Sequence, residues 1–262
     1  DVGVGASVSV AVIDNVTRAV VEDTAHLGGY DGGKPTNVNV DAAGTYTTIT
    51  EASNGAAGDD VAVAAGVSVA VIDNQTIARI GTDAGAVLPF TGNARVRTDH
   101  TSDTTTKADA EVAGDVAVGV SVAVAVVDET AEATLARNLG EESDSNGTVA
   151  IESNVDVTST IEVTASAGGT DSSGSSADDE AATQTNNPNV TREEGETQQL
   201  PSAQTQSTNA SSSASAESGT GSSGVGVAAA VAVNVVDVAN TAAVVSGADI
   251  FADGAVTVSA EA

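Results

Sequence analysis

The chain has 262 residues, 37 acidic against 8 basic side chains, and a formal net charge of −29. That balance argues against nucleic acid and anionic membrane as partners, since both are bound through cationic patches, and the lack of Cys removes any disulfide framework or thiolate metal site. With no Trp or Met and only two Phe and two Tyr, the 40% apolar fraction rests on Val and Ala, which suits thin stacked strands rather than the Leu-, Phe- and Met-rich core of a globular enzyme.

The first predicted element is Ser7-Val-Ser-Val-Ala-Val-Ile-Asp14, in which Val alternates with Ser or Ala. Period-two alternation predicts a strand. The block returns as Gly66 to Asp73, Ser121 to Asp128 and Ala230 to Asp237, at spacings of 59, 55 and 109 residues. A valine face and a small face alternate in every copy. The valine face is expected to form the internal column, and the small face to make a close second contact with another layer. Asp14, Asp73, Asp128 and Asp237 close the four copies, and Ala19, Ala78, Ala133 and Ala242 follow five positions later. We read strand, Asx-type turn, second strand, with the carboxylate fixing the bend by accepting backbone N–H groups.

A Gly-rich loop of variable length follows: 28 to 33, 81 to 92 and 138 to 147. Its variability predicts a surface excursion. A short strand with one polar face comes next, at 38–42, 94–98, 149–153 and 256–260, then a Thr-rich extended run at 45–51, 104–112 and 158–165. The long spacing has a local cause. Residues 166–223 are almost wholly Ser, Thr, Gly, Asn, Gln, Asp and Glu with Ala, and Val190 and Leu200 are their only branched aliphatics. Removing these 58 residues leaves an ordinary repeat of 51. They read as an insertion in a loop, disordered or loosely held on the surface.

These spacings divide the chain into repeats 1–59, 60–114, 115–223 (with the insertion at 166–223) and a shortened 224–262. The predicted fold is all-β: a β-solenoid, parallel β-helix-like, of ~55-residue repeats with one long polar insertion. A string of small β-sandwiches is the competing architecture, but ~55 residues is short beside the ~100 of an immunoglobulin-like unit. The chain starts and stops out of phase with its repeat, so it reads as a window on a longer array. No apolar run is long enough to cross a bilayer as a helix.

Few residues carry chemistry. His26 and His100 are expected to be exposed loop histidines. Neighbouring carboxylates such as Asp59-Asp60 and Glu141-Glu142 point to opposite faces of a strand and do not make a catalytic dyad. No catalytic or cofactor-binding residue is predicted. Calcium is the possible metal, with Asp14, Asp73, Asp128 and Asp237 as a column of candidate ligands. Asp144 is a fifth candidate, because Asp144-Ser-Asn-Gly147 followed by Glu152 resembles half of an oxygen-ligand loop. For the column, turn-fixing is the competing role. Asn-x-Ser/Thr occurs at Asn15, Asn74, Asn146, Asn189 and Asn209, a pattern that glycans require but that an Asn- and Thr-rich chain also produces by chance.

The recurring block Gly-x-x-Val-x-Val-Ala-Val-Ile-Asp-Asn-x-Thr-x-Ala, followed by Gly-x-Val-x-Val-x-Ala, resembles the repeats of giant bacterial adhesins and filamentous-haemagglutinin-like surface proteins. The resemblance covers the chain outside 166–223. It implies a secreted, elongated, non-catalytic solenoid at the bacterial cell surface, serving as an adhesive or structural shaft. Its expected partners are further repeats of the parent chain, other copies of itself, and cell-surface glycans or proteins. A self-assembling extracellular filament subunit is one alternative, and a polysaccharide-binding or polysaccharide-cleaving β-helix is another.

Overall fold

The computed structural model describes residues 1–28, 33–83, 87–142, 146–168, 208–219 and 225–262. Seven strands of 20 residues dominate it: β1 (Val2–Val21), β2 (Val38–Ala57), β3 (Val61–Ile80), β5 (Ala94–Ala113), β6 (Val116–Leu135), β8 (Val149–Gly168) and β10 (Val225–Val244). Four shorter strands complete the set: β4 (Val87–Leu88), β7 (Asn138–Leu139), β9 (Thr208–Gly219) and β11 (Val256–Glu261). No described residue is helical. The chain runs along one sheet, crosses a loop, returns along a second sheet and turns tightly into the next coil. All pairings are parallel, in the orders β1-β3-β6-β10 and β11-β8-β5-β2. This is the predicted all-β, parallel, solenoid-like architecture.

The register is that of the sequence repeat. Val8 pairs with Val67, Val67 with Val122 and Val122 with Val231, and the four Asp residues line up in one row. That Asp row corrects the expected turn. Each strand passes straight through its Asp, so the predicted strand–turn–strand is one 20-residue strand, as are the predicted short strand and Thr-rich run that merge in β2, β5 and β8. No bend exists for the carboxylate to fix.

The faces are also the reverse of expectation. Ser68, Ala70 and Ile72 are buried, whereas Val8, Val10 and Val12 are 71, 62 and 76% exposed. The physical reason is the distance between the sheets. A Cβ added to Gly66 would lie 2.8 Å from the Asp109 carbonyl oxygen, and one on Gly119 would lie 2.6 Å from that of Ser166. Backbone faces backbone there, so only Gly, Ser and Ala fit between. The interior widens toward the loop end. Its narrow end is Ala62, Ala64, Ala110, Ala117 and Ala167 with Val112. Its wide end takes Val38, Val40, Ile80, Leu135 and Ile151.

The loops close that wide end rather than leaving the surface. Leu88 and Phe90 are fully buried, and β4 pairs with β7 in a third, two-stranded sheet. Arg137 is buried beside them and donates to the carbonyl oxygens of Glu22, Ala25 and Val87 at 2.9–3.1 Å. Gly81, at φ +73°, makes the turn out of β3 where a side chain would strike Arg137.

Part of the polar insertion lies in the second sheet. Thr208–Gly219 forms β9 and pairs with Val157–Gly168 of β8, while β11 pairs with Val149–Asn154. The strand laid on β8 is thus made of two pieces from distant stretches of the chain. The expectation of a loose loop is therefore wrong for residues 166–168 and 208–219. Residues 169–207 and 220–223 lie outside the described set.

A buried polar spine and an outward valine lattice

The inner face of the first sheet changes character just past the Asp row. Asn15, Asn74 and Glu129 share one register position and point between the sheets. Asn15 Nδ2 donates to Asn74 Oδ1 at 2.9 Å, and Asn74 Nδ2 donates to Glu129 Oε1 at 2.9 Å. From the facing sheet the Ser102 hydroxyl donates to the same oxygen at 2.6 Å, and His100 Nε2 lies 2.7 Å from Oε2. His100 Nδ1 is 3.0 Å from Thr76 Oγ1, and the Tyr46 hydroxyl joins the chain 3.2 Å from that oxygen and 2.9 Å from Thr17 Oγ1. The Tyr46 and His100 rings meet at 5.2 Å with a 52° tilt. Gly44 gives them room, for any Cβ there would strike Thr76 and Tyr46.

This cluster was not expected. The sequence pattern predicts an exposed loop residue at His100, but it lies in β5 at 2% exposure, and Glu129 opposite it is fully buried. His26 is exposed as predicted. Burying a carboxylate is costly unless donors surround it, and Glu129 has three. The donors come from two elements: Asn74 from the neighbouring strand β3, and Ser102 and His100 from β5 of the facing sheet. The spine therefore ties three successive coils and two sheets together. Every polar side chain in it is engaged with another, and the cluster is closed on both sides by apolar layers.

Asp14, Asp73, Asp128 and Asp237 lie on the outer face, in one row across all four strands. Burial, together with the charges of Asp73, Asp237 and Glu129, pushes the Asp128 carboxyl above the usual carboxylate range. Asp144 lies outside the described residues. Among the described residues no group of three or more His, Asp and Glu side chains is arranged to hold a metal ion. Two of the glycan-type asparagines are inside the fold: Asn74 is fully buried in the spine and Asn146 is 2% exposed. Enzymatic access to either requires unfolding. Asn189 lies outside the described residues.

Beyond the Asp row the outer face of the same sheet is a lattice. Six outward positions in each of four strands run from Val2 to Val12, Val61 to Val71, Val116 to Val126 and Val225 to Val235. They hold 21 Val and three Ala. The Ala residues, Ala6, Ala65 and Ala229, fall in a single row with Val120. The outer face of the second sheet is polar and charged, and its ion pairs Arg95–Asp41 (2.9 Å) and Lys107–Glu162 (2.6 Å) bridge neighbouring coils.

Fold and surface together define the class: a parallel, two-sheet β-solenoid with one apolar and one polar broad face. No family model, no curated protein and no solved structure matches this chain.

Proposed function

We propose that this chain is a non-catalytic structural or adhesive segment, the shaft of a large extracellular bacterial surface protein. The observation that carries this reading is the strand-for-strand register of the coils. Length is built by adding 20-residue strands in matched register, and the differences in length between coils fall in the loops and the one insertion. Such a stack transmits position along an axis and needs no active site. The resemblance to giant adhesin repeats and the acidic composition support the same assignment. Among the described residues Tyr46 and Phe90 turn inward and Phe251 alone of the Phe and Tyr side chains is exposed, which supports this reading over the polysaccharide β-helix, since a sugar groove needs several aromatic rings facing solvent.

Immunogold labelling and electron microscopy of cells that make the protein test the proposal. Label along slender projections outside the envelope is the expected result. Label confined to the cell interior would overturn it. Uniform detached filaments with an axial repeat equal to this chain would replace the shaft by the filament subunit.

A further inference from the structure

We infer that the valine lattice is a docking face for a second copy of this same face, packed sheet on sheet with the strands of the two copies antiparallel. The inference concerns how copies of this fold associate and is independent of the adhesive reading.

Size is the first argument. Four strands about 4.8 Å apart, carrying eleven residues at about 3.3 Å each, cover roughly 19 by 36 Å, or about 700 Å². Monomers seldom leave an apolar patch above about 300–600 Å² exposed. Two such faces together bury roughly 1,400 Å², inside the range of about 1,200–2,000 Å² for specific, stable interfaces.

Charge is the second. If the two copies had parallel strands, the Asp14-Asp73-Asp128-Asp237 row would meet its own image. A two-fold axis lying along the direction of coil stacking instead sends the two Asp rows to opposite ends of the contact, where water reaches them. The net charge of −29 also speaks against an anionic lipid surface as the occupant.

Shape is the third. The same two-fold axis brings the third outward row of one copy opposite the fourth row of the other. The third row is indented in three of its four strands, at Ala6, Ala65 and Ala229, with Val120 in the remaining one, and the fourth row is Val8, Val67, Val122 and Val231. Val8, Val67 and Val231 of each copy fall on its partner's indentations. The lattice thus complements itself in the orientation that charge selects, and β-sandwich packing supplies the geometry.

Sedimentation equilibrium of the 262-residue chain tests this, with Val67→Glu/Val122→Glu in the lattice and Thr101→Glu on the opposite polar face. The expected result is a wild-type dimer that the lattice pair weakens at least tenfold while its circular dichroism and melting temperature hold, and that Thr101→Glu leaves alone. Should the glutamates prevent folding, the near-isosteric Val67→Thr/Val122→Thr pair answers the same question through a smaller weakening. A wild-type chain that stays monomeric to about 100 µM, far above the micromolar to nanomolar constants of stable complexes, would overturn the proposal. So would a dimer that survives in both lattice variants. A monomer that floats with phosphatidylcholine vesicles would overturn it too, and would give the face to lipid.

Discussion

Individual side chains in this protein take their energetics from neighbours one coil away. Asp128 is the clearest case. Stacked between Asp73 and Asp237, it holds its proton more tightly in the folded chain than in the unfolded one. A carboxyl raised in the folded state opposes folding above its folded pKa, and this penalty is relieved as pH falls through that value toward the ordinary carboxylate range. Asp128→Asn is therefore expected to raise the urea midpoint at pH 7 and to leave it unchanged near pH 3, which paired denaturation curves will read. Glu129, the next residue, points inward and is held by hydrogen bonds from Asn74, Ser102 and His100. Glu129→Ala strands His100, Ser102 and Asn74 without their acceptor, and should cost about 3–5 kcal/mol of unfolding free energy, measured by denaturant titration at pH 7. None of this was legible locally. The partners of Glu129 lie 27, 29 and 55 residues away. The one available signal was that Asn15, Asn74 and Glu129 occupy the same place in three copies of the block.

Strands were easier to read than their orientation. Alternation, spacing and register all follow from the sequence, since the four Asp residues that mark the repeat do form one row. What alternation does not provide is the sign: it says that two faces exist, and not which is inside. The usual rule that the larger apolar residues turn inward fails because the sheets nearly touch at the narrow end, and close backbone approach selects Gly, Ala and Ser. The signal was present in Gly3, Gly5, Gly66 and Gly119, which all fall on the small-residue parity. The merging of two predicted strands into one of 20 residues has a related cause. Asp is a poor strand former, yet on an outer face its side chain reaches water and the backbone ladder continues beneath it. An inversion test follows. Ala70→Leu, on the buried face, should destabilise by about 1–3 kcal/mol through overpacking. Val69→Thr, one residue along and facing out, should change stability by no more than about 0.5 kcal/mol in dilute, monomeric solution. Thermal melts of the two variants side by side decide the matter.

The whole molecule is a stack of long ladders. Each 20-residue strand of the first sheet is matched residue for residue to the next, and each coil touches only its neighbours, so stability accumulates nearly additively along the axis. The insertion does not break this order, because β9 and β11 between them fill a single strand position on β8. These ladders have a mechanical consequence. Tension applied along the stacking axis, from β1 to β10, opens each ladder from one end and breaks its hydrogen bonds a few at a time. Tension along the strands loads all the bonds of a ladder at once, in shear. Pulling on cysteines introduced at Val2 and Val225, at matching ends of the two edge strands, should give a sawtooth of small, regularly spaced releases, one per coil. Pulling between Val2 and Ile80, at opposite ends of the paired strands β1 and β3, should give a single rupture at several-fold higher force. Single-molecule force spectroscopy reads both. A solenoid of this kind is compliant in one direction and stiff in the other, and the direction of the load decides which property is expressed.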